Sequence, residues 1–392
     1  MIARPHRILP IIVLSQLCGT SLWFAGNAVL PDLQSRLGLP DRALGDMTSA
    51  VQLGFIAGTL VFALLAISDR YSPRTTFLVC ALLGAACNAI PYIAGGQITL
   101  LLMARFATGF FLAGIYPVGM KIASGWYRHD LGKALGFLVG ALVLGTALPH
   151  LIRGLGQSLP WETVLLSVSA IAVAGGVLMY ALVPDGPFLS PGTKLDIRSL
   201  FNVFRSPGFR ASSFGYFGHM WELYAFWAFV PPLLTAYVSA SPGLDLNISL
   251  LSFAVIAAGS AGCVAGGLIS LYRGSAGVAF AQLLASGLCC LLLPFAFQAA
   301  PELFIAFLLF WGIVVVGDSP QFSALNAAYA PRDQVGSALT IANCIGFGIS
   351  IVSIQLLNQV AASIPAQFLF LLLVPGPVLG LIALRPLLGA KA

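Results

Sequence analysis

Ser68-Asp69-Arg70-Tyr71-Ser72-Pro73-Arg74 places three charged side chains in seven residues, in a chain where only 8% of positions are charged. Long apolar runs flank it, over residues 44–66 and 75–94. A helix of about 20 apolar residues is long enough to cross the roughly 30 Å hydrocarbon core of a bilayer. Lipid offers backbone N–H and C=O groups no water partner, so runs of this kind must be helical. The stretch therefore reads as a tight polar hinge between two membrane spans.

The rest of the 392 residues supports that reading. Hydrophobic residues make up 59% of the chain and the mean hydropathy is +0.95, whereas soluble domains average about 45–50% apolar. Twelve spans are expected, at 8–30, 44–66, 75–94, 98–120, 134–154, 162–183, 211–237, 248–271, 275–297, 302–324, 335–358 and 364–384. With the N-terminus in the cytoplasm, loops on that side hold 15 of the 19 Lys and Arg. The outer loops hold only Arg36, Arg42 and Arg153, while Arg105 lies inside a span. This is the bias of the positive-inside rule, and it places both termini in the cytoplasm. The net charge of +6 is thus a topology signal and not a nucleic-acid surface. Arg4 and Arg7 precede an apolar run that continues past Trp23 to Leu30. That is too long for a cleaved leader, so it reads as the first span. All seven cysteines fall in apolar spans without His partners at metal spacing, which argues for packing rather than disulfides or zinc. Asn247-Ile248-Ser249 fits a glycosylation sequon in an outer loop.

The longest hydrophilic stretch, 184–210, contains Lys194, Arg198 and Arg205 and separates two six-span halves, 1–183 and 211–392. The halves echo each other at an offset of about 204 residues. Asp130-Leu131-Gly132-Lys133-Ala134-Leu135 matches Gln334-Val335-Gly336-Ser337-Ala338-Leu339, and Trp23 matches Trp227. Ile67-Ser68-Asp69-Arg70-Tyr71-Ser72 has a degraded counterpart in Ile269-Ser270-Leu271-Tyr272-Arg273-Gly274. Two six-span halves with a parallel repeat form an architecture in which solutes bind near mid-membrane between the repeats. Gly132-x-x-x-Gly136-x-x-x-Gly140, with Gly262, Gly266, Gly346 and Gly348, is expected to let neighbouring helices approach closely.

The loop Asp69-Arg70-x-x-x-Arg74, the pattern Arg105-x-x-x-Gly109 in the fourth span, and the six-span, basic-loop, six-span plan together resemble the major facilitator superfamily. The likeness covers nearly the whole chain. Gly218-His219-Met220-Trp221-Glu222-Leu223-Tyr224 and Asp318-Ser319-Pro320-Gln321-Phe322-Ser323 are similar to segments of bacterial permeases. The resemblance implies an all-α membrane protein with twelve transmembrane helices in two pseudo-symmetric bundles, resident in the cell inner membrane. It also implies that Asp69, Arg70 and Arg74 form a conformational latch, with Asp69 at the start of the eleventh helix. A carboxylate at that positive end of a helix is favoured by about 0.3–1 kcal/mol. The sequence departs from the family pattern at Leu65 and Ala66, where a glycine is usual, and at Thr108, where a glutamine is usual. The Gly-Pro-x-x-Gly-Gly pattern of drug–proton antiporters is replaced by Gly145-Thr146-Ala147-Leu148-Pro149-His150, and the mid-span arginines of nitrate carriers are absent.

Few ionisable groups lie inside spans: Arg105, His150, His219, Glu222 and Asp318. Each charge at mid-bilayer costs about 2.5–3.5 kcal/mol on insertion scales, so such residues usually serve a function. Four of the five belong to the fourth, seventh and tenth helices, which line the cavity in proteins of the resembled family. Glu222 is near mid-span, with His219 three residues earlier on the same helical face, where it would modulate the acid. Asp318 lies nearer the cytoplasm, with Gln321 one turn on. Arg105 is expected to hold an anionic solute group or an acid of the other half, and His150 to be interfacial. Asn27, Tyr224 and Trp227, with Gln16, Trp23 and Trp221, would complete an amphipathic pocket.

The expected function is secondary active transport of a small organic solute by alternating access, with a proton as the coupling ion and no cofactor. An efflux antiporter of amphipathic drugs is the first rival. A non-transporting receptor or a membrane-embedded enzyme is the second. No Gly-x-x-x-x-Gly-Lys-[Ser/Thr] segment is present for ATP, and no nucleophile–base or metal cluster can be built from the spacings. A monomer is expected, with the lipid bilayer and the solute as its only partners.

Overall fold

A computed structural model describes residues 6–90, 97–127, 131–156, 159–189, 202–331 and 334–389. The described residues are helical, with no strand among them. They divide into two compact units, Met1–Leu195 and Asp196–Ala392. Residues 190–201 of the expected 184–210 linker lie outside the described residues.

In the first unit α1 (Ile8–Thr20) gives way to turns, then α2 (Ala25–Ala28) and α3 (Leu30–Leu37), which ends at Gly38 with φ +63°. α4 (Ala43–Leu64) leads through Ala66, at φ 49°, into the one-turn α5 (Ile67–Arg70). α6 (Pro73–Ala89), α7 (Ile98–Leu112), α8 (Tyr116–Trp126), α9 (Leu131–Leu155) and α10 (Trp161–Leu182) follow. The second unit holds α11 (Pro207–Ala240), α12 (Ile248–Arg273), α13 (Ser275–Ala296), α14 (Pro301–Gly317), α15 (Ser319–Tyr329) and α16 (Val335–Val360). Its last span is segmented into α17 (Ala366–Leu369), a 3₁₀ turn and α18 (Pro375–Leu384).

Ten helical runs among the described residues are long and apolar enough to cross a membrane. The first expected span, 8–30, is not one helix: α1 stops at Thr20. The third, 75–94, is described only as far as Ile90. Helix starts follow local chemistry. Pro73, Pro207 and Pro301 occupy first-turn positions, where the missing N–H costs nothing. Ser206 and Asn247 cap α11 and α12 by accepting from the N–H groups of Phe209 and Leu250.

The spans built from α7–α8 and α14–α15 are each interrupted, at Gly114-Ile115-Tyr116-Pro117 and at Gly317-Asp318-Ser319-Pro320. The cause is the same in both. Pro117 and Pro320 cannot donate to the carbonyl four residues back, and the ring crowds it, so the ladder restarts. The two Gly-x-x-Pro motifs stand about 203 residues apart and belong to the internal repeat.

Helix contact within each unit is set by glycine. A Cβ on Gly109 of α7 would fall on the Val51 carbonyl of α4, and one on Gly58 would fall on the Phe110 carbonyl. In the second unit Gly312 of α14 meets the Val255 carbonyl of α12, and Gly262 meets that of Ile313. Backbones touch directly here, as small-residue packing in membranes requires. Gly136 and Gly348 face open space, so the expectation of close packing fails for them. Gly266 and Gly346 do pack tightly, against Gln282 with Gly317 and against Tyr216 with Met220. Large apolar side chains such as Met103, Phe295, Leu303 and Leu379 are exposed on helix faces, which in lipid leaves no polar backbone unsatisfied and no apolar surface in water.

Candidate functional site

Each unit buries its own polar cluster. In the first, Arg105 of α7 is 2% exposed. Its Nη1 donates to Asn88 Oδ1 at 2.9 Å, and its Nη2 donates to the Leu22 and Trp23 carbonyls at 3.0 and 2.6 Å. Those carbonyls lie in the turns after α1, where the helical ladder has lapsed. The guanidinium therefore supplies the donors that the interrupted backbone lacks, using its planar fork. Asn88 is held in turn by the Leu165 carbonyl and Ser169 Oγ of α10, both at 3.1 Å. Asn27 donates to Thr48 Oγ1 of α4 at 2.8 Å. Three of the four N–H donors on its terminal nitrogens thus meet acceptors inside its own unit, where the sequence suggested a solute anion or a distant acid, and its buried Nε has no hydrogen-bond partner among the described residues.

In the second unit Glu222 of α11 is 1% exposed, and one of its oxygens, Oε1, accepts three hydrogen bonds. The donors are Ser286 Oγ at 2.5 Å and Cys290 Sγ at 3.4 Å, both on α13, and Trp311 Nε1 on α14 at 2.9 Å. One turn away, His219 uses both ring nitrogens elsewhere: Nδ1 lies 2.8 Å from Asp318 Oδ1, and Nε2 lies 2.7 Å from Ser319 Oγ. The Nδ1–Oδ1 contact is an ion pair when the imidazole is protonated, and the Ser319 hydroxyl can meet Nε2 as donor or acceptor. His219 is therefore the partner of Asp318 rather than a direct modulator of Glu222. Asp318 sits at the break between α14 and α15, and Phe322 packs against the imidazole with centroids 5.7 Å apart.

The remaining sequence candidates fall around these clusters. Tyr224 and Trp227 are buried and edge-on to each other at 5.3 Å, with Tyr224 also against Phe347 at 5.1 Å. Gln321 is buried in α15. His150, expected to be interfacial, is buried within α9, and its Nε2 has no hydrogen-bond partner among the described residues. Trp221 is half-buried and donates to the Leu372 carbonyl at 3.2 Å.

The charged hinge is tied down within the first unit. Lys121 of α8 donates to the Ser68 carbonyl at 2.8 Å and forms an ion pair with Asp69. Ser72 donates to Asp185 at 2.8 Å, and the Arg74 guanidinium lies 5.4 Å from the Tyr180 ring centre. Arg70 is exposed.

Sequence reasoning missed Trp311, Ser286, Cys290, Asn88, Ser319 and Lys121. The Gly-x-x-Pro repeat would have exposed the break beside Asp318 and Ser319. Lys121 was visible as a lone cation at the end of an apolar run.

The Major Facilitator Superfamily profile matches residues 12–354. The chain belongs to that superfamily. Among curated relatives, Putative transporter AraJ of Escherichia coli (strain K12) is 26% identical over 220 residues, which is 54% of this chain and 52% of AraJ. The chain thus matches about half the length of that relative. Among solved structures, the proton:xylose symporter XylE bound to 6-bromo-6-deoxy-D-glucose superposes with a TM-score of 0.77 at 15% identity, covering 97% of this chain and 95% of the symporter. The human organic anion transporter MFSD10 (TETRAN) gives 0.72 at 16% identity, covering 96% and 99%. At these identities the structures establish the superfamily's fold. The protein is a multi-pass membrane protein whose family and structural neighbours are transporters rather than enzymes.

Proposed function

We propose that the protein is a secondary active transporter that moves a small organic solute by alternating access and couples it to protons at Glu222. The observation that carries this is a fully buried carboxyl whose Oε1 is met by an O–H, an S–H and an N–H donor. An acid held away from water carries a large cost for its charge, and taking up a proton removes that cost. The donors point hydrogen at the oxygen, whereas a metal cation requires oxygen ligands in that place. A proton suits this oxygen better than sodium. His219, on the same face of α11 as Glu222, pairs with the buried Asp318 of the α14–α15 break and gives a second group able to bear a proton. A sugar and organic anions, named for XylE and MFSD10, are small organic solutes of the class we propose. The Lys and Arg distribution supports cytoplasmic termini, and an inner-membrane monomer completes the proposal.

The test is solute-driven proton flux in proteoliposomes that enclose a pH-sensitive dye, screened under inward and outward solute gradients. Flux in the wild type and its loss in Glu222→Gln is the expected result, and its sign separates symport from antiport. Solute movement without proton flux in the wild type would refute coupling.

A further inference from the structure

The donors around Glu222 are not equivalent. Ser286 and Cys290 lie on α13, and their O–H and S–H groups can rotate away. Trp311 lies on α14, and its indole nitrogen only donates. The ring is fully buried and wedged among Phe226, Phe307 and Phe370, with centroids at 4.6, 5.7 and 5.4 Å. Its N–H therefore has a fixed direction. That direction serves two acceptors, Glu222 Oε1 at 2.9 Å and Ser286 Oγ at 3.2 Å. The bond to Oε1 ties α14 to the acid on α11.

We propose that Trp311 is a positioning residue for Glu222, whose indole N–H fastens α14 to α11 while Glu222 is a carboxylate and passes to Ser286 when Glu222 takes up a proton. The proposal rests on Glu222 as the coupling group. Charge-assisted hydrogen bonds are about twice as strong as neutral ones, so the arriving proton weakens the tie at Oε1. The indole has a second acceptor in reach and need not move to use it. The proton comes from the medium and becomes the carboxyl O–H, so no bond in the indole is made or broken. The outcome is that the proton's arrival is felt as a loosened contact between two helices, rather than only as a change of local charge.

Other ionisable side chains border this group. On α13 they are Cys289 and Cys290, while Cys263 of α12 lies toward Asp318. Asp318 stands at the α14–α15 break, with His219 on α11 itself. Elsewhere in the packing around α11, the ionisable side chain of α16 is Cys344 and α18 carries none. His219 and Asp318 are engaged with each other, which leaves Glu222 as the acid in direct contact with the indole.

Trp311→Phe removes the N–H and keeps an aromatic ring in the pocket. Two measurements on the purified full chain read its effect, with Glu222→Gln alongside. Tryptophan fluorescence is titrated with pH, and proton flux is followed against pH in proteoliposomes under the gradient that drives the wild type. The wild type is expected to show a fluorescence step that both variants lose, and Trp311→Phe is expected to keep flux with its pH midpoint displaced by about one unit. A purely structural role would lower flux without moving the midpoint. A Trp311→Phe flux profile that superimposes on the wild type, or a fluorescence step that survives in it, overturns the proposal while Glu222 stands. Flux with wild-type pH dependence in Glu222→Gln overturns the reading of Glu222 itself. Should Trp311→Phe fail to fold, the wild-type fluorescence step and its loss in Glu222→Gln decide the proposal, and a step that survives in Glu222→Gln overturns it.

Discussion

Gly109→Ala is expected to destabilise the first unit even though alanine is the better helix former. A Cβ at this position would lie 2.7 Å from the Val51 carbonyl carbon and 3.0 Å from the Phe55 nitrogen, with the carbonyl oxygen nearer still. Carbon contacts are comfortable at about 3.5–4.0 Å, so α7 must withdraw from α4 by roughly 1 Å. The obstacle is backbone and has no rotamer to change. Overpacking of this kind costs about 1–3 kcal/mol, and withdrawal also opens the neighbouring contacts of Gly54 and Gly58. Helix propensity returns up to about 1 kcal/mol for any Gly→Ala change in a helix interior. Gly348→Ala isolates that return, because Gly348 is in the interior of α16 with nothing within 4 Å of a built Cβ. The difference between the two variants is then the packing cost alone. Gly312→Ala, facing the Val255 carbonyl, repeats the test in the second unit. Thermal unfolding of detergent-solubilised protein, followed by circular dichroism, should rank Gly348→Ala at or above wild type and both others below it. Gly109→Ala melting as high as Gly348→Ala would refute direct backbone contact between α4 and α7.

Arg105→Lys should lower stability by about 2 kcal/mol, because a single ammonium nitrogen cannot take the place of two separated guanidinium nitrogens that reach Asn88 on one side and two carbonyls on the other, and buried acceptors left unpaired cost about 1–3 kcal/mol each. An unchanged melting temperature with transport abolished would instead return Arg105 to the role of solute ligand. Lys121→Ala removes the tie to Ser68 and Asp69, a pair about one-fifth exposed on both sides, so stability should change by less than about 1 kcal/mol. Transport rates should fall well beyond that small change if the hinge is a conformational latch, and wild-type rates would reduce it to a solvated turn.

Hydropathy made the spans legible because lipid imposes one requirement on every residue of a span. It could not show where the ladder of hydrogen bonds lapses, since Ser21-Leu22-Trp23-Phe24 is as apolar as its neighbours. The first span read as continuous to Leu30 because its interruption is sustained by Arg105, a residue some eighty positions away. The same asymmetry governs the site. Glu222, His219 and Asp318 stood out because a charge in an apolar run needs a reason. Trp311, Ser286, Cys290 and Asn88 did not, because indoles, small hydroxyls, thiols and amides occur in membrane helices for packing. Position along one helix also misled: His219 and Glu222 share a face, yet the imidazole turns to α15 and the acid to α13 and α14.

The internal repeat preserves the scaffold and not the chemistry. At the offset of about 204 residues, the glycines of the α4–α7 contact recur in the α12–α14 contact, and Gly-x-x-Pro recurs at both interrupted spans. The charges do not recur. Ile115 stands where the second unit has Asp318, Leu308 where the first has Arg105, and Cys18 where the second has Glu222. A requirement of the backbone would be expected at both copies, as the glycines and prolines are. Arg105 has a local reason in the interrupted α1 of its own unit. Glu222 and His219 mend no lapse of comparable kind, since the Ser286, Cys290 and Trp311 side chains serve the acid and α11 is continuous through both residues, whereas Asp318 stands at the α14–α15 break. Buried acids that the scaffold does not need are retained at a cost of a few kcal/mol. Under the proposed function, proton coupling belongs to the second unit, while the buried charge of the first, Arg105, serves the interrupted backbone of its own unit.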